Sequence, residues 1–259
     1  MAIITLTTDL GTKDYYLSTI KGAILTQFPE ARIIDISNEI TKFDILQASF
    51  IVKNAYKSFP EGTIHIIGVN PENTVETSHI AIKADGHYFI GADNGMFSLM
   101  FDKLPDKIVE LTIQPDIGFQ TFPTNDVFVK AACHIARGGT LEVIGKEKAS
   151  LSERTMIRPV LDGFVLKGSV IYIDSYENVI VNISESMFRD AIQGRNFNIV
   201  VKPSGYYLNK IVKTYNEVPH GEMLALFSST GFLEIAINMG GASGLLGLQL
   251  NDTIRIEFE

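Results

Sequence analysis

Two carboxylates lie five residues apart in Thr8-Asp9-Leu10-Gly11-Thr12-Lys13-Asp14, and they bracket a glycine. The apolar run Ile3-Ile4-Thr5-Leu6-Thr7 leads straight into them, and a helical pattern follows at once. In an α/β sheet, ligands sit at the carboxyl ends of strands, where strand-to-helix turns carry polar groups to them. A carboxylate only accepts hydrogen bonds, so Asp9 suits the two hydroxyls of a sugar diol. Phosphate fits poorly, because the turn is negative and lacks both a Lys-Ser pair and repeated glycines. Asp14 taken alone reads as a residue that caps and charges the first helical turn. Taken together in a strand–Gly–helix turn, the pair reads as a binding site.

Three more polar segments fall at expected strand ends: Val69-Asn70-Pro71-Glu72-Asn73, Ile173-Asp174-Ser175-Tyr176-Glu177-Asn178 and Phe227-Ser228-Ser229-Thr230-Gly231-Phe232. Loops after strands are where function concentrates, although each segment alone is also ordinary turn chemistry. Summed, they offer acceptors for a diol, a carboxylate for an ammonium, an amide for a base edge and hydroxyls for a carboxylate. Tyr176, Tyr215 or Phe43 could stack on a ring. That inventory suits a nucleoside carrying an amino acid. Other groups read as structural. His134, seven residues after Val127 on the apolar helix face, reads as a packed histidine. His79 and His87 flank a hairpin and read as solvated, and Cys133 reads as a buried small hydrophobe. Asp93-Asn94-Gly95 is a turn signature without an evident catalytic role.

The elements that must hold these groups change character along the chain. In the first half, Arg32–Asp35 reads as a short buried strand, and Ile45–Ser58 has helical spacing. Thr63–Val69 is nearly continuous apolar sequence, as for a central parallel strand. His79–Lys83 and Tyr88–Ile90 flank the hairpin signal Asp85-Gly86. Val127–Arg137 is an amphipathic helix closed by Gly138-Gly139. This alternation predicts an α/β domain with a mostly parallel sheet over residues 1–150. From Gly163 onward short β-rich runs dominate, at 164–173, 179–183, 197–201, 223–227, 232–237 and 253–258. They predict a smaller all-β, barrel-like domain over 160–259, with the boundary near 146–160.

Composition narrows the class. The chain has 259 residues, enough for a large core, and 46% hydrophobic with 20% charged residues describes an ordinary globular protein. The expectation is no membrane segment and no signal peptide. One cysteine excludes an internal disulfide, provides no metal-ligand cluster, and fits a reducing, cytoplasmic setting. A net charge of −8 argues against nucleic-acid binding and is compatible with a cationic small ligand.

The chain also resembles a known family throughout its length, the S-adenosylmethionine (SAM) hydroxide adenosyltransferases, kin to bacterial fluorinase and chlorinase. The resemblance lies in residues 8–14 with Lys21-Gly22, Ile34-Asp35-Ile36-Ser37, Phe59-Pro60-Glu61-Gly62-Thr63 and Ala92-Asp93-Asn94-Gly95. It continues through Thr121-Phe122, Asp126-Val127-Phe128, Ile173-Asp174 with Asn178, and Ser228-Ser229-Thr230-Gly231-Phe232-Leu233-Glu234-Ile235-Ala236-Ile237-Asn238. It implies a homotrimer that binds SAM, with no separate cofactor and no metal, between neighbouring subunits. Asp9 would take the ribose hydroxyls, and Asn178 with backbone near Met239 would read the adenine edge. Tyr215 and Tyr176 would form apolar walls, Asp14, Asp174 and Ser229 would hold the methionine end, and Thr230 is a further substrate-binding candidate. In the family, water or halide attacks the ribose C5′ and expels methionine.

At the chemistry the sequence departs from that pattern. The family's hydrolases carry an Asp–Arg–His set, and those positions here hold Asn70, Thr77 and Pro123. An amide, a hydroxyl and a proline take no proton at neutral pH. Asn70, Asn73 and Thr124 could instead donate to a halide, yet the aromatic residue of the halide enzymes at position 70 is absent too. Three readings follow: a SAM hydrolase with differently placed groups, a SAM or adenosine binder that has lost its chemistry, and a halide-dependent adenosyl transferase.

Overall fold

The structure, a computed structural model, describes residues 2–114, 121–202 and 205–259. The chain divides into two compact units, Met1–Thr155 and Met156–Glu259.

Among the described residues the first unit has seven strands: β1 (Ile3–Thr8), β2 (Arg32–Ser37), β3 (Ile64–Gly68), β4 (His79–Ala84), β5 (His87–Ala92), β6 (Lys107–Leu111) and β7 (Gly145–Glu147). Its helices are α1 (Tyr16–Gln27), α2 (Ile45–Ala55), α3 (Met96–Met100), α4 (Val129–Ala136) and α5 (Leu141–Ile144). The sheet order is β2-β1-β3-β5-β4-β6-β7. Here the expectation of a mostly parallel sheet needs correction. Pairs β1–β2, β1–β3 and β3–β5 are parallel, whereas β4–β5, β4–β6 and β6–β7 are antiparallel. The cause is the Asp85-Gly86 hairpin, whose two residues both take positive φ (50° and 79°) and turn the chain straight back.

β2 is also not the buried strand expected. It lies at the sheet edge, and Arg32, Asp35 and Ile34 are exposed. Central β1 and β3 are buried throughout their last residues, as strands covered on both faces must be. One side packs α1 and α4 onto Ile4, Leu6, Ile64 and Ile66, with Cys133 buried among them as expected. The other packs α2 and α3 onto Ile67, Ile80, Ile82 and Phe89. Successive connections leave β1 and β3 in opposite directions, and the crevice at such a switch point is where ligands bind in α/β sheets.

The second unit contains β8 (Val160–Asp162), β9 (Val165–Ile173), β10 (Val179–Ser184), β11 (Phe197–Lys202), β12 (Tyr206–Leu208), β13 (Met223–Phe227), β14 (Phe232–Ile237) and β15 (Thr253–Phe258). Two short helices join them, α6 (Glu185–Ile192) and α7 (Ala242–Leu246). All its ladders are antiparallel, in the order β12-β11-β15-β9-β10-β14-β13, with β8 on β9. The sheet is nearly barrel-shaped and has no ladder between β12 and β13 among the described residues. Alternate residues face one core of Leu166, Val170, Val181, Ile199, Leu233, Ile235 and Ile256. Among the described residues no helix is long and apolar enough to cross a membrane.

Candidate functional site

A cavity of about 710 Å³ opens in the first unit at the carboxyl ends of β1 and β3. Its wall takes in Asp9, Asp14, Phe43, Asn70, Asn73, Pro123 and Thr124, all singled out in the sequence. Thr77 is absent from that lining; it closes a turn in which its N–H donates to Thr74 Oγ1 at 3.1 Å.

Asp9 is 6% exposed, so its carboxylate must be held by the protein or used by a ligand. One oxygen, Oδ2, accepts the Phe43 N–H at 2.9 Å. The Lys42 ammonium donates to the Asp9 carbonyl, and Thr8 Oγ1 donates to Asn38 Oδ1 at 2.8 Å. Gly11 N–H donates to the Asn38 carbonyl at 2.7 Å. The loop after β2, residues 38–43, thus fastens the whole turn. Phe43 itself has φ 65° and is 69% exposed, a strained backbone that presents an aromatic ring at the cavity rim. Asp14 does not cap α1: the cap position is Tyr15, and no side chain bonds there. Asp14 is exposed at the cavity instead. Tyr16, which the sequence reading passed over, meets Phe122 edge to face at 5.3 Å, and both line the cavity.

The far wall comes from residues 70–73, His79, residues 121–124, Asp126 and Val127. Asn70 has φ 45°, a conformation that Asn tolerates better than most residues. Asn94 Nδ2 holds it, donating to the carbonyls of Val69 at 3.3 Å and Asn70 at 3.2 Å. The neighbouring Asp93 is buried, accepts Ser152 N–H at 2.9 Å and pairs with Lys148 at 3.1 Å. The Asp-Asn-Gly motif is therefore the brace behind the cavity wall. Thr124–Phe128 forms a π-helical turn before α4, the kind of irregularity that often marks functional sites. It lays Thr124 on Gly68, where a Cβ would fall 2.6 Å from Thr124 Oγ1.

The histidine readings require correction. His79 and His87 are not solvated; they are 6% and 4% exposed. Antiparallel β4 brings its first residue, His79, opposite Ala92 at the carboxyl edge of β5, hence into the cavity wall. His87 lies at 3.3 Å from His65 Nε2, inside an aromatic cluster with Tyr56 and Phe89. His134 is half-buried rather than core, with Nε2 at 3.0 Å from the Thr140 carbonyl.

Among the described residues the cavity wall is acidic, with Asp9, Asp14, Glu72 and Asp126 against the single ammonium of Lys42. Such a wall attracts a cation and repels phosphate.

The second unit holds a separate polar cluster. Asp174 Oδ1 accepts the N–H groups of Tyr176 and Asn178 at 2.9 and 2.8 Å, and its Oδ2 accepts Asn178 Nδ2 at 3.0 Å. Glu177 (φ 62°) receives Ser243 N–H on its carbonyl and Gly244 N–H on its carboxylate. That ties the segment after Met239 to the β9–β10 turn. Tyr176 and Met239 are 78% and 83% exposed, the latter with φ 58°, so both present apolar surface. Tyr215 donates to buried Glu234 at 2.6 Å. Burial raises the Glu234 carboxyl, nearby Asp174 adds to that, and the Tyr215 bond opposes it. Ser229 and Thr230 lie elsewhere, in the β13–β14 turn beside Phe232, at the opposite end of β14 from Met239. Asp174 consequently sits with Asn178 and not with Ser229.

Comparison with known proteins fits the whole chain. Residues 4–145 match the model of the SAM hydroxide adenosyltransferase N-terminal domain, and residues 168–255 match the C-terminal domain of the same family. An (R)-S-adenosyl-L-methionine hydrolase of Methanocaldococcus jannaschii is 32% identical, with 98% of this chain and 95% of the relative covered. A fluorinase of an Actinoplanes species is 22% identical over 91% of each chain. The crystal structure of an uncharacterised conserved protein from Thermotoga maritima superposes with a TM-score of 0.89 at 29% identity, covering 98% of this chain and 99% of that one. With both domain models matched in order and a hydrolase relative aligned end to end, the chain belongs to the SAM hydroxide adenosyltransferase family.

Proposed function

We propose that the protein binds S-adenosylmethionine and cleaves it to adenosine and methionine by attack of water at the ribose C5′. The observation that carries this reading is the Asp9 carboxylate. It is buried at a strand end, held by one oxygen on the Phe43 N–H, and lies in an acidic cavity of a chain whose relatives include a SAM hydrolase. The diol of a ribose would take its remaining acceptor capacity, and the acidic wall would favour a sulfonium cation over a phosphorylated nucleotide. Asp14 and Phe43 would contact the ligand from the same wall. Asp174, Asn178, Tyr176, Tyr215, Ser229, Thr230 and Met239 would complete the site from the second unit of a neighbouring copy in a homotrimer. The sulfonium is a good leaving group, so positioning does much of the work. A reducing compartment suits the single, buried cysteine.

A halide-dependent reading has its own support in Asn73 and Thr124, donors in the cavity wall where the hydrolase set is replaced. Chromatography of S-adenosylmethionine incubated with the purified chain separates the readings. Adenosine supports hydrolysis, a 5′-halogenated nucleoside formed only with chloride or fluoride supports transfer, and neither product leaves a binding protein. Light scattering tests the assembly: a monomer at micromolar concentration with full ligand affinity would exclude the shared site.

A further inference from the structure

We infer that His79 is the general base for the attacking water, a role that rests on the cleavage reading above. It lines the cavity beside Asn70, Asn73, Pro123 and Thr124, yet belongs to none of the family positions that the sequence leaves without a base. Its Nε2 lies 2.8 Å from the Pro71 carbonyl oxygen. A carbonyl only accepts, so Nε2 carries the proton, and in the neutral ring Nδ1 holds the lone pair. Nδ1 has no hydrogen-bond partner among the described residues, and it is not among the sealed side-chain atoms that lack one. The Phe128 ring meets the imidazole edge to face at 4.9 Å and fixes its plane.

Burial pushes the imidazole below its ordinary value, with the Pro71 bond opposing, so the ring is neutral at pH 7. Charged groups surround it on several elements. Glu72 and Asp126 share the far wall with it, and Asp9, Asp14 and Lys42 line the rest of the cavity. Asp93 lies behind β4, paired with Lys148, and Glu110 is opposite Ile80 on β6.

The step balances without another reagent. The water oxygen bonds to C5′ as the C5′–S bond breaks, and sulfur keeps that electron pair, leaving as the neutral thioether of methionine. The water proton passes to Nδ1, and the imidazolium then releases it to solvent. General-base assistance of this kind is worth about two to four orders of magnitude in rate.

The test compares the wild-type chain with His79→Gln, whose amide can still donate to Pro71 but takes no proton. Adenosine formation from S-adenosylmethionine should fall about 100- to 10,000-fold, with SAM affinity by calorimetry held within roughly threefold. The wild-type kcat should decline as pH falls through the histidine, and that limb should vanish in the variant. His79→Ala should regain rate when imidazole is added. A variant that turns over at the wild-type rate with the same pH profile overturns the assignment and leaves the cleavage reading standing. A wild-type chain that binds SAM and releases no adenosine overturns both. Should His79→Gln lose its circular dichroism spectrum, a wild-type rate that is flat between about pH 5 and 8 overturns the base role by itself.

Discussion

The two walls of the first unit's cavity are built on different principles. On one side, Asp9 follows a parallel strand and is held by backbone from residues 38–43, so its carboxylate is fixed before any ligand arrives. On the other, Asn70 and Pro123 stand where the resemblance puts the family's Asp and His, and Thr77 at the Arg position lies off the lining. Among the described residues the only imidazole in that wall comes from the start of antiparallel β4. The proposed binding group and the proposed base are therefore held by separate elements. On that reading, either set could change while the other stays.

The sharpest way to break this comparison is at Asp9. A hydrogen bond to a charged group is worth about 1.5–3 kcal/mol. Losing two of them in Asp9→Ala should weaken adenosine or S-adenosylmethionine binding by roughly 100- to 10,000-fold. Calorimetry reads this directly, and unchanged affinity would remove Asp9 from the site.

The Asp9 wall was legible in the sequence because its signal is local: a strand, a glycine and two acids within seven residues. The longer strands of the second unit were legible for the same reason, since apolar runs between turn residues survive into the ladders, whereas the three-residue β8 and β12 were not expected. What sequence missed depends on distant pairing. The 38–43 clasp has no motif; it exists only because the loop after β2 returns to β1. The hairpin at Asp85-Gly86 was visible, but its consequence was not followed. If β4 runs against β5, then His79 must arrive at the edge where the parallel strands end. The same inference would have replaced a mostly parallel sheet with a half-parallel one. The resemblance groups Ser229 with Asp174 at the methionine end, and within one chain the β10–β14 register sets their two turns apart.

Acid stability probes the other side of the sheet. His65 is fully buried between Thr5, at 2.7 Å, and His87, and burial followed by the nearby His87 lowers it to about 3. The folded chain keeps it neutral, whereas the unfolded chain protonates it below the ordinary 6.5. Its contribution is thus complete above that value and is lost as pH falls from about 6.5 toward 3. Each pH unit in that window costs about 1.4 kcal/mol, so several kcal/mol is the ceiling. Urea titrations at pH 7 and pH 5 should show the loss, and His65→Phe should flatten it. Equal stability at both values in the wild type would show that His65 is protonated in the folded chain.

Gly68→Ala should have a smaller effect, because it presses one methyl against the π turn. The new Cβ would meet Thr124 Oγ1, Cγ2 and Cβ at 2.6, 2.7 and 3.2 Å. Overpacking of this kind costs about 1–3 kcal/mol. Adding Thr124→Ala removes the two closest atoms, so the double variant should recover most of the loss in thermal unfolding. Additive losses instead would mean that the two residues are not coupled.

The smallest expected effect is on the chemical wall itself. Restoring Asp, Arg and His together at positions 70, 77 and 123 supplies the base that those positions lack. Asp tolerates the φ of 45° at Asn70, so that change fits the backbone. Thr77 is off the cavity lining, and an arginine there must reach in from the 74–77 turn. Pro123 is buried at the start of the π turn, and replacing it frees a backbone that proline fixes. These two obstacles hold the gain to a fraction of full general-base assistance, about tenfold in adenosine formation. With His79→Gln as the background, the gain should be larger, because the new imidazole would then be the only one in that wall among the described residues. Equal gains in both backgrounds would mean that His79 and position 123 do not share the same proton, and the contrast between the two walls would have to be redrawn.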